Sequence, residues 1–518
     1  MALRTGDLIA IILYTLGMLW LGWWAQKRIK GTEDYFVGGR AMPSWAVGLS
    51  VLAAAISSIT FLAYPGSSYT GNWSRLVPGL MLPIAALIGI YFFVVFYRRT
   101  MFISAYEYFE RRYGNWGRSY ASLLFTLGSI YRVGMILYLM SLPLRVLSNW
   151  NILTVILFAG IVTTIYTVMG GLEAVIWTDV VQGIILILGG IATVIVIFLG
   201  VPGGATQIIS EGAAAGKFNL AVSFDWSLAR ETFWLFALMG LVGNLQEHAT
   251  DQSKVQRYQA PKSDRGAIYA SFWVLLCIPL WMLFMFIGSC LWVYYRQFPN
   301  LLPDGIRADY VYPHFILSQM PEFVGGLVIS AVLAAAMSSI SSSMNASASV
   351  LIEDFYKRHF VRKADDQHYL GRARHVTLAL GVLMMVVAYG LSLLNANTIL
   401  DVGFFIGSVM AGGLGGFFFL GFLFRRTTAQ GAAIGLISGL VVILWCTLSR
   451  LGMVPEPYAV HVHPFIIGVV GNVTVFIVGL VASYFFPAPS PEKIAGMTWW
   501  TRERRARSEV EATEASAG

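Results

Sequence analysis

Apolar runs of about 18 to 30 residues follow one another along almost the whole chain, each long enough to cross a hydrocarbon core of about 30 Å. About thirteen are recognisable, at 7–25, 43–71, 76–97, 119–148, 151–170, 172–200, 230–249, 267–295, 322–350, 375–394, 398–424, 427–448 and 464–486. The strict alternation of half-buried strands is missing, so the pattern predicts an all-α polytopic bundle rather than a barrel. The first run is too long for a removable signal peptide and lacks a small-residue cleavage site.

Three of these runs are broken by polar or helix-weakening residues at mid-depth. The longest polar interruption lies between Pro321 and Leu351, where Ser338, Ser339, Ser341, Ser342 and Ser343 crowd an otherwise apolar helix. At about 100° per residue, Ala335, Ser338, Ser339 and Ser342 share a narrow arc, with Ser341 just beside it. Hydroxyls in hydrocarbon bond back to their own helix, bond to a neighbour, or coordinate a hard cation. Run 43–71 is interrupted by Ser57, Ser58 and Thr60 and then by Pro65 and Gly66. That pattern fits a discontinuous helix whose freed carbonyls line a site, or a proline kink packed against neighbours. Run 230–249 carries Gly240, Gly243, Asn244 and Gln246 in the same way. The two broken runs stand at the head of successive groups of five spans, which suggests an inverted five-plus-five repeat. The organisation expected is an extra helix and inner loop at 1–42, one repeat at 43–200, an outer loop at 201–229, and a second repeat at 230–426. Two further helices at 427–486 and a polar tail at 487–518 complete it, the tail ending in the disorder-prone SEVEATEASAG.

Composition adds orientation. Only 12% of the residues are charged, and of 35 Lys and Arg, 26 fall in alternate inter-span segments, counting the tail. The positive-inside rule then places the N-terminus outside and the C-terminus inside. The formal charge of +8 is thus a topology signal and not a nucleic-acid footprint. Cys277, Cys290 and Cys446 sit in apolar helices without a pairing pattern.

Two charges stand out by their depth within the spans. Arg132, in GSIYRVGMILY, is roughly a dozen residues beyond the inner boundary and too deep to snorkel. Its guanidinium must meet a carboxylate, carbonyls or an anionic ligand, whether to bind a solute or to brace helices. Asp179, in EAVIWTD, is an isolated acid that needs a cation, and the serine helix is the place to seek it.

The segments DYFVGGRAMPSWAVGLS, ISAYEYFERRYG, GGLEAVIWTDVVQ, DQSKVQRY and AAAMSSISSSMNASASVLIEDFY resemble, in order, the signatures of the sodium/solute symporter family over roughly residues 30–430. The resemblance is greatest to its sialic acid and monocarboxylate branches. It implies a leucine-transporter-type five-plus-five core in the cell (inner) membrane, with Na⁺ as coupling ion. A first Na⁺ would use the carbonyls of Ala53, Ile56 and Ala335 and the hydroxyls of Ser338 and Ser339. A second would lie between Asp179 and Ser338, Ser341 and Ser342. Solute contacts would come from Ser57, Ser58, Thr60, Arg132 and Asn244. The chain departs from the sialic acid branch in SRLVPGLMLPIAAL, which lacks an expected amide, and at Ala55, which lacks a hydroxyl. ISSITF has the character of the monocarboxylate and vitamin branch, while Thr60 stands where the sugar branch has an amide.

The function expected is therefore alternating-access import of a small carboxylate-bearing solute with two Na⁺, the alternative being a neutral sugar or polyol. The partners are that solute, Na⁺ and the lipid bilayer, with no nucleic acid. The sequence does not set the oligomeric state and is compatible with a monomer. A channel would need a continuous polar lining, whereas the polar groups here concentrate at one depth. No nucleophile elbow, phosphate loop or metal-ligand set suggests an enzyme, and no output module suggests a sensor.

Overall fold

A computed structural model describes residues 3–148, 150–220, 222–394 and 413–501, except the side chains of residues 58, 59, 143 and 146–148. Of the expected features, the first part of run 398–424 and the end of the polar tail lie outside these residues.

Among the described residues nine helices are long and apolar enough to span a membrane, and a tenth span is a bent pair. In chain order the main elements are α1 (Thr5–Gln26), α2 (Ser44–Ala55), α3 (Ser58–Thr70), α4 (Ser74–Thr100, with a π-helical turn) and α5 (Asn115–Ser148). Then come α6 (Ile152–Gly200), α7 (Phe233–Thr250), α8 (Gln252–Gln259), α9 (Asp264–Gln297) and α10 (Val324–Val350). The last four are α11 (Asp366–Ser392), α12 (Leu414–Leu423), α13 (Ala429–Arg450) and α14 (Pro464–Ser483). Three runs separate these ten from the thirteen. α6 holds two spans, α7 is too polar to count alone, and only the last part of run 398–424 falls among the described residues, as α12.

Both halves of α6 are continuous except at Gly171, whose φ of 50° and ψ of −140° break the ladder. Only glycine adopts that conformation without strain. A Cβ there would lie 2.3 Å from the Tyr35 carbonyl oxygen, so the turn also needs the missing side chain to let the chain from 32 to 37 pack close. Gly171→Ala should therefore lower stability by about 1–3 kcal/mol from backbone strain alone. A fall in melting temperature of the detergent-solubilised protein measures it, and an unchanged value would contradict this reading of the turn.

α10 is the axis of the bundle. Every residue from Val328 to Val350 is buried, and it packs on α1, α2, α3, α5, α6 and α11. Its serines, alanines and glycines allow close approach from all sides, the packing mode that replaces hydrophobic association in lipid.

The segments expected inside meet one another. Thr32 Oγ1 donates to Asp366 Oδ1 at 2.6 Å, and Arg98 Nε donates to Asp264 Oδ1 at 2.5 Å. Arg118 Nε reaches Asp354 Oδ1 at 2.8 Å and its Nη1 reaches Glu110 Oε2 at 2.7 Å. Burial would raise the Glu110 carboxyl, yet Arg358 and Arg118 outweigh it and hold it below its ordinary value. Segments expected outside gather separately, with Lys217 Nζ on the Tyr69 carbonyl at 2.7 Å and Asp7 accepting from the Gly326 amide at 2.7 Å.

One sequence expectation needs correction. Run 230–249 is not broken at Gly240–Gln246: α7 runs through to Thr250 and the chain breaks at Asp251, with ψ of 116°. Gly240 instead admits the Pro78 backbone, whose carbonyl oxygen would lie 2.2 Å from a Cβ. Arg112 and Arg257, two cations of the inner segments, are buried at 1% and 2% exposure. The loops that carry them fold back under the bundle, and Arg112 donates to the Gly421 and Phe424 carbonyls there.

Candidate ion and solute site

α2 and α3 form the one bent pair among the described residues, turning through 51°. Ala53 and Ile56 are buried at the joint, and the Ile56 amide reaches the Ala53 carbonyl at 3.2 Å. Ile56 itself is extended, with φ of −108° and ψ of 106°, which releases carbonyls from the helical ladder. Ser57 caps α3, its Oγ accepting from the Thr60 amide at 3.4 Å and lying 3.5 Å from Thr60 Oγ1. The side chain of Ser58 is outside the described set. Both α2 and α3 pack on α10, so the joint faces the serine helix.

On α10, Ser339 Oγ donates weakly to the Ala335 carbonyl at 3.4 Å, and Ser341 Oγ donates to the Ser338 carbonyl at 3.1 Å. Ser338 Oγ crosses to α6 and donates to Asp179 Oδ1 at 2.6 Å. Asp179 is fully buried. Its Oδ2 accepts from Ser50 Oγ of α2 at 2.5 Å and from Arg257 Nη2 of α8 at 2.8 Å. The same Nη2 reaches Ser342 Oγ at 2.6 Å, and Arg257 Nε reaches Ser50 Oγ at 2.8 Å. Asp179 thus finds its cation next to the serine helix, and the cation is a guanidinium. A buried pair of this kind holds only when the remaining donors and acceptors are met, as the three serines do here.

Beside this network lies a cavity of about 210 Å³ bounded by α2, α4, α5, α7, α8 and α9. Arg132 and Asn244 line it, together with Ala55, Glu247, Asp251 and Trp281. Arg132 keeps 44% of its side-chain surface exposed there. Its Nη1 meets Asp251 Oδ2 at 3.4 Å, and its Nη2 meets Ser343 Oγ of α10 at 3.3 Å. Asn244 Nδ2 is turned back onto the Gly240 carbonyl at 2.7 Å. The structure therefore brings Arg132 and Asn244 to one cavity, while Ser57 and Thr60 engage each other at the helix break.

Sequence reasoning missed Ser50, Arg257 and the acids of the cavity. The acids left a signal: Asn244, Glu247, Asp251 and Lys254 recur at spacings of three and four, one face of a helix. A lone serine in an apolar run, as Ser50 is, leaves none.

A helical bundle with a broken helix against a polar-cored partner, and a cavity beside the break, is the architecture of a secondary carrier. The sodium:solute symporter family matches residues 35–439. The sodium/sialic acid symporter SiaT of Proteus mirabilis is 35% identical over 480 residues, 92% of this chain and 94% of that protein. Sodium-coupled monocarboxylate transporter 1 of Xenopus laevis is 29% identical, over 83% of this chain and 69% of its own length. A solved substrate-bound, outward-open Na⁺-coupled sialic acid symporter superposes with a TM-score of 0.87 at 33% identity, covering 94% of this chain and 99% of that one. The nucleobase-cation-symport-1 transporter MHP1, at 16% identity and a TM-score of 0.55, shares the fold. The chain belongs to the sodium:solute symporter family. It is a multi-pass membrane carrier with the leucine-transporter-type fold, importing a solute with Na⁺ and not an enzyme.

Proposed function

We propose that the solute is a small organic anion, a sialic acid or a short monocarboxylate, and that two Na⁺ accompany it. The observation that carries the solute class is Arg132: a guanidinium with free surface in a cavity next to the helix break is a ready two-pronged donor for a carboxylate. Asn244 stands beside it for a second polar contact, and Ser57, Ser58 and Thr60 are assigned to the solute from the break. The names of the relatives, sialic acid and monocarboxylate symporters, point the same way.

The first Na⁺ is assigned to the carbonyls of Ala53, Ile56 and Ala335 and the hydroxyls of Ser338 and Ser339, a shell of neutral oxygens suited to a hard monovalent cation. The second is assigned to Asp179 with Ser338, Ser341 and Ser342. Asp179 supplies the counter-charge that the first set lacks. Asp179→Asn keeps the shape, removes that charge and leaves Arg257 with an amide in place of its carboxylate. The Na⁺ dependence of uptake should then relax from sigmoidal to hyperbolic, as read from initial rates. A sigmoidal curve surviving in the variant would remove the second ion.

Thermal-shift titration across sialic acids, short carboxylates and neutral sugars, each with and without Na⁺, tests the solute class. Stabilisation by a carboxylate only when Na⁺ is present supports the reading. Stabilisation by neutral sugars alone would replace it with the sugar or polyol alternative.

A further inference from the structure

The eight-residue helix α8 touches both assigned sites. Asp251 caps it: Oδ1 accepts from the Ser253 amide at 2.8 Å and from Ser253 Oγ at 2.5 Å. That leaves Oδ2 facing Arg132. At the far end of α8, Arg257 spends its guanidinium on Asp179, Ser50 and Ser342, and its Nη1 returns to the Ser253 carbonyl at 2.9 Å. One short helix therefore presents an acid to the arginine assigned to the solute and a base to the acid assigned to the second Na⁺.

We propose that α8 carries internal stand-ins for both transported species, Asp251 for the solute carboxylate on Arg132 and Arg257 for the ion at Asp179, and that solute and ion are coupled because both must dislodge this one helix. The inference rests on the solute and ion assignments proposed above. Charge makes the arrangement necessary. An intramembrane Asp179 or Arg132 left without an opposite charge is costly, so each needs a partner whenever its ligand is away. The stand-ins keep each place neutral before the exchange, and the ligands keep it neutral after.

The exchange also supplies partners for the displaced groups. Asp251 and Arg257 line the same cavity, as does Glu247. When a solute carboxylate takes Arg132, Asp251 is released; when Na⁺ takes Asp179, Arg257 is released toward the same space. Each displacement thus provides the opposite charge that the other needs. Binding of one species lowers the cost of binding the other, which is coupling in the thermodynamic sense and must be reciprocal.

Both α8 and α10 also carry polar side chains that are buried. The amides of Gln256 on α8 and Asn345 on α10, and the hydroxyl of Ser347, are buried without a hydrogen-bond partner among the described residues. Beside the bond from Arg257 to Ser342, α8 and α10 are joined by Gln252 Nε2 donating to Ser349 Oγ at 3.1 Å.

The test is N-acetylneuraminate and lactate binding to the purified full chain in nanodiscs, by calorimetry, in zero and in saturating Na⁺. In the wild type, Na⁺ should tighten binding of at least one carboxylate by roughly 5–150-fold, the ordinary range of coupling. Asp251→Asn keeps an efficient helix cap and removes the competing charge. Na⁺-free affinity should rise in that variant, and the Na⁺-induced tightening should shrink toward unity. Should Asp251→Asn fail to fold, Asp251→Ser carries the same expectation. Arg257→Lys replaces the fork by a point charge and should strengthen binding of Na⁺ alone, read by tryptophan fluorescence. A variant that binds with an unchanged tightening factor, or a lysine variant with unchanged Na⁺ affinity, overturns the inference and spares the functional reading. A wild type that binds neither carboxylate removes both.

Discussion

Replacing Ser338 and Ser339 together by alanine should reduce Na⁺-driven uptake to background. Both hydroxyls are assigned to the first ion, and alanine offers no oxygen in their place. Folding should survive, since alanine is the best helix former. The loss of the Ser338 bond to Asp179 should cost about 1–3 kcal/mol, the ordinary penalty for a weakened buried polar group. Ser330 is the control: it lies on the same helix, bonded to the Gly326 carbonyl at 2.9 Å, and has no assigned ion. Ser330→Ala should leave uptake unchanged. Uptake and sedimentation behaviour measured together separate loss of the ion from loss of the fold. Unchanged Na⁺ affinity in the double variant would overturn the assignment.

Arg132→Lys should weaken binding of a carboxylate solute by about 10–100-fold, the equivalent of about 1.5–3 kcal/mol for a charge-assisted bond. Lysine keeps the charge and loses the planar fork. The two contacts that Arg132 makes within the protein are long, 3.3 Å and 3.4 Å, and lysine keeps the charge that faces Asp251. The melting temperature of the ligand-free variant should therefore stay near that of the wild type. If instead Arg132 only braces α5 against α7 and α10, the variant should melt earlier and bind solute as before.

Much of the fold was legible because membrane spans announce themselves by length and apolarity. The helix break at 43–71 could be read from Ser57, Thr60 and Pro65, which weaken a helix at a depth where weakness has to serve something. Asp179 and the α10 serines stood out for the same reason. Arg257 did not, because its neighbours in DQSKVQRY are polar and its run looks like a solvated inner loop. Nothing local says that α8 folds back beneath α10 and buries that guanidinium on Asp179. The break after α7 was misplaced by a related error: Gly240 and Gly243 suggested an interruption. Gly240 instead accommodates a neighbouring backbone, and the interruption falls at Asp251. Side-chain periodicity within one helix is local information, whereas which helix meets which is not.

Two Na⁺ entering with a monoanion carry one net positive charge, so the membrane potential should contribute about 2.3 kcal/mol per ~100 mV to uptake. The decisive measurement is the flux of labelled sialic acid or short carboxylate into proteoliposomes under imposed Na⁺ gradients and set potentials. The expected result is accumulation that requires inward Na⁺, grows with an inside-negative potential, and reverses at the potential set by two Na⁺ per solute. Accumulation that persists without a Na⁺ gradient, or a flux indifferent to potential, would contradict Na⁺-coupled import of an organic anion with two ions.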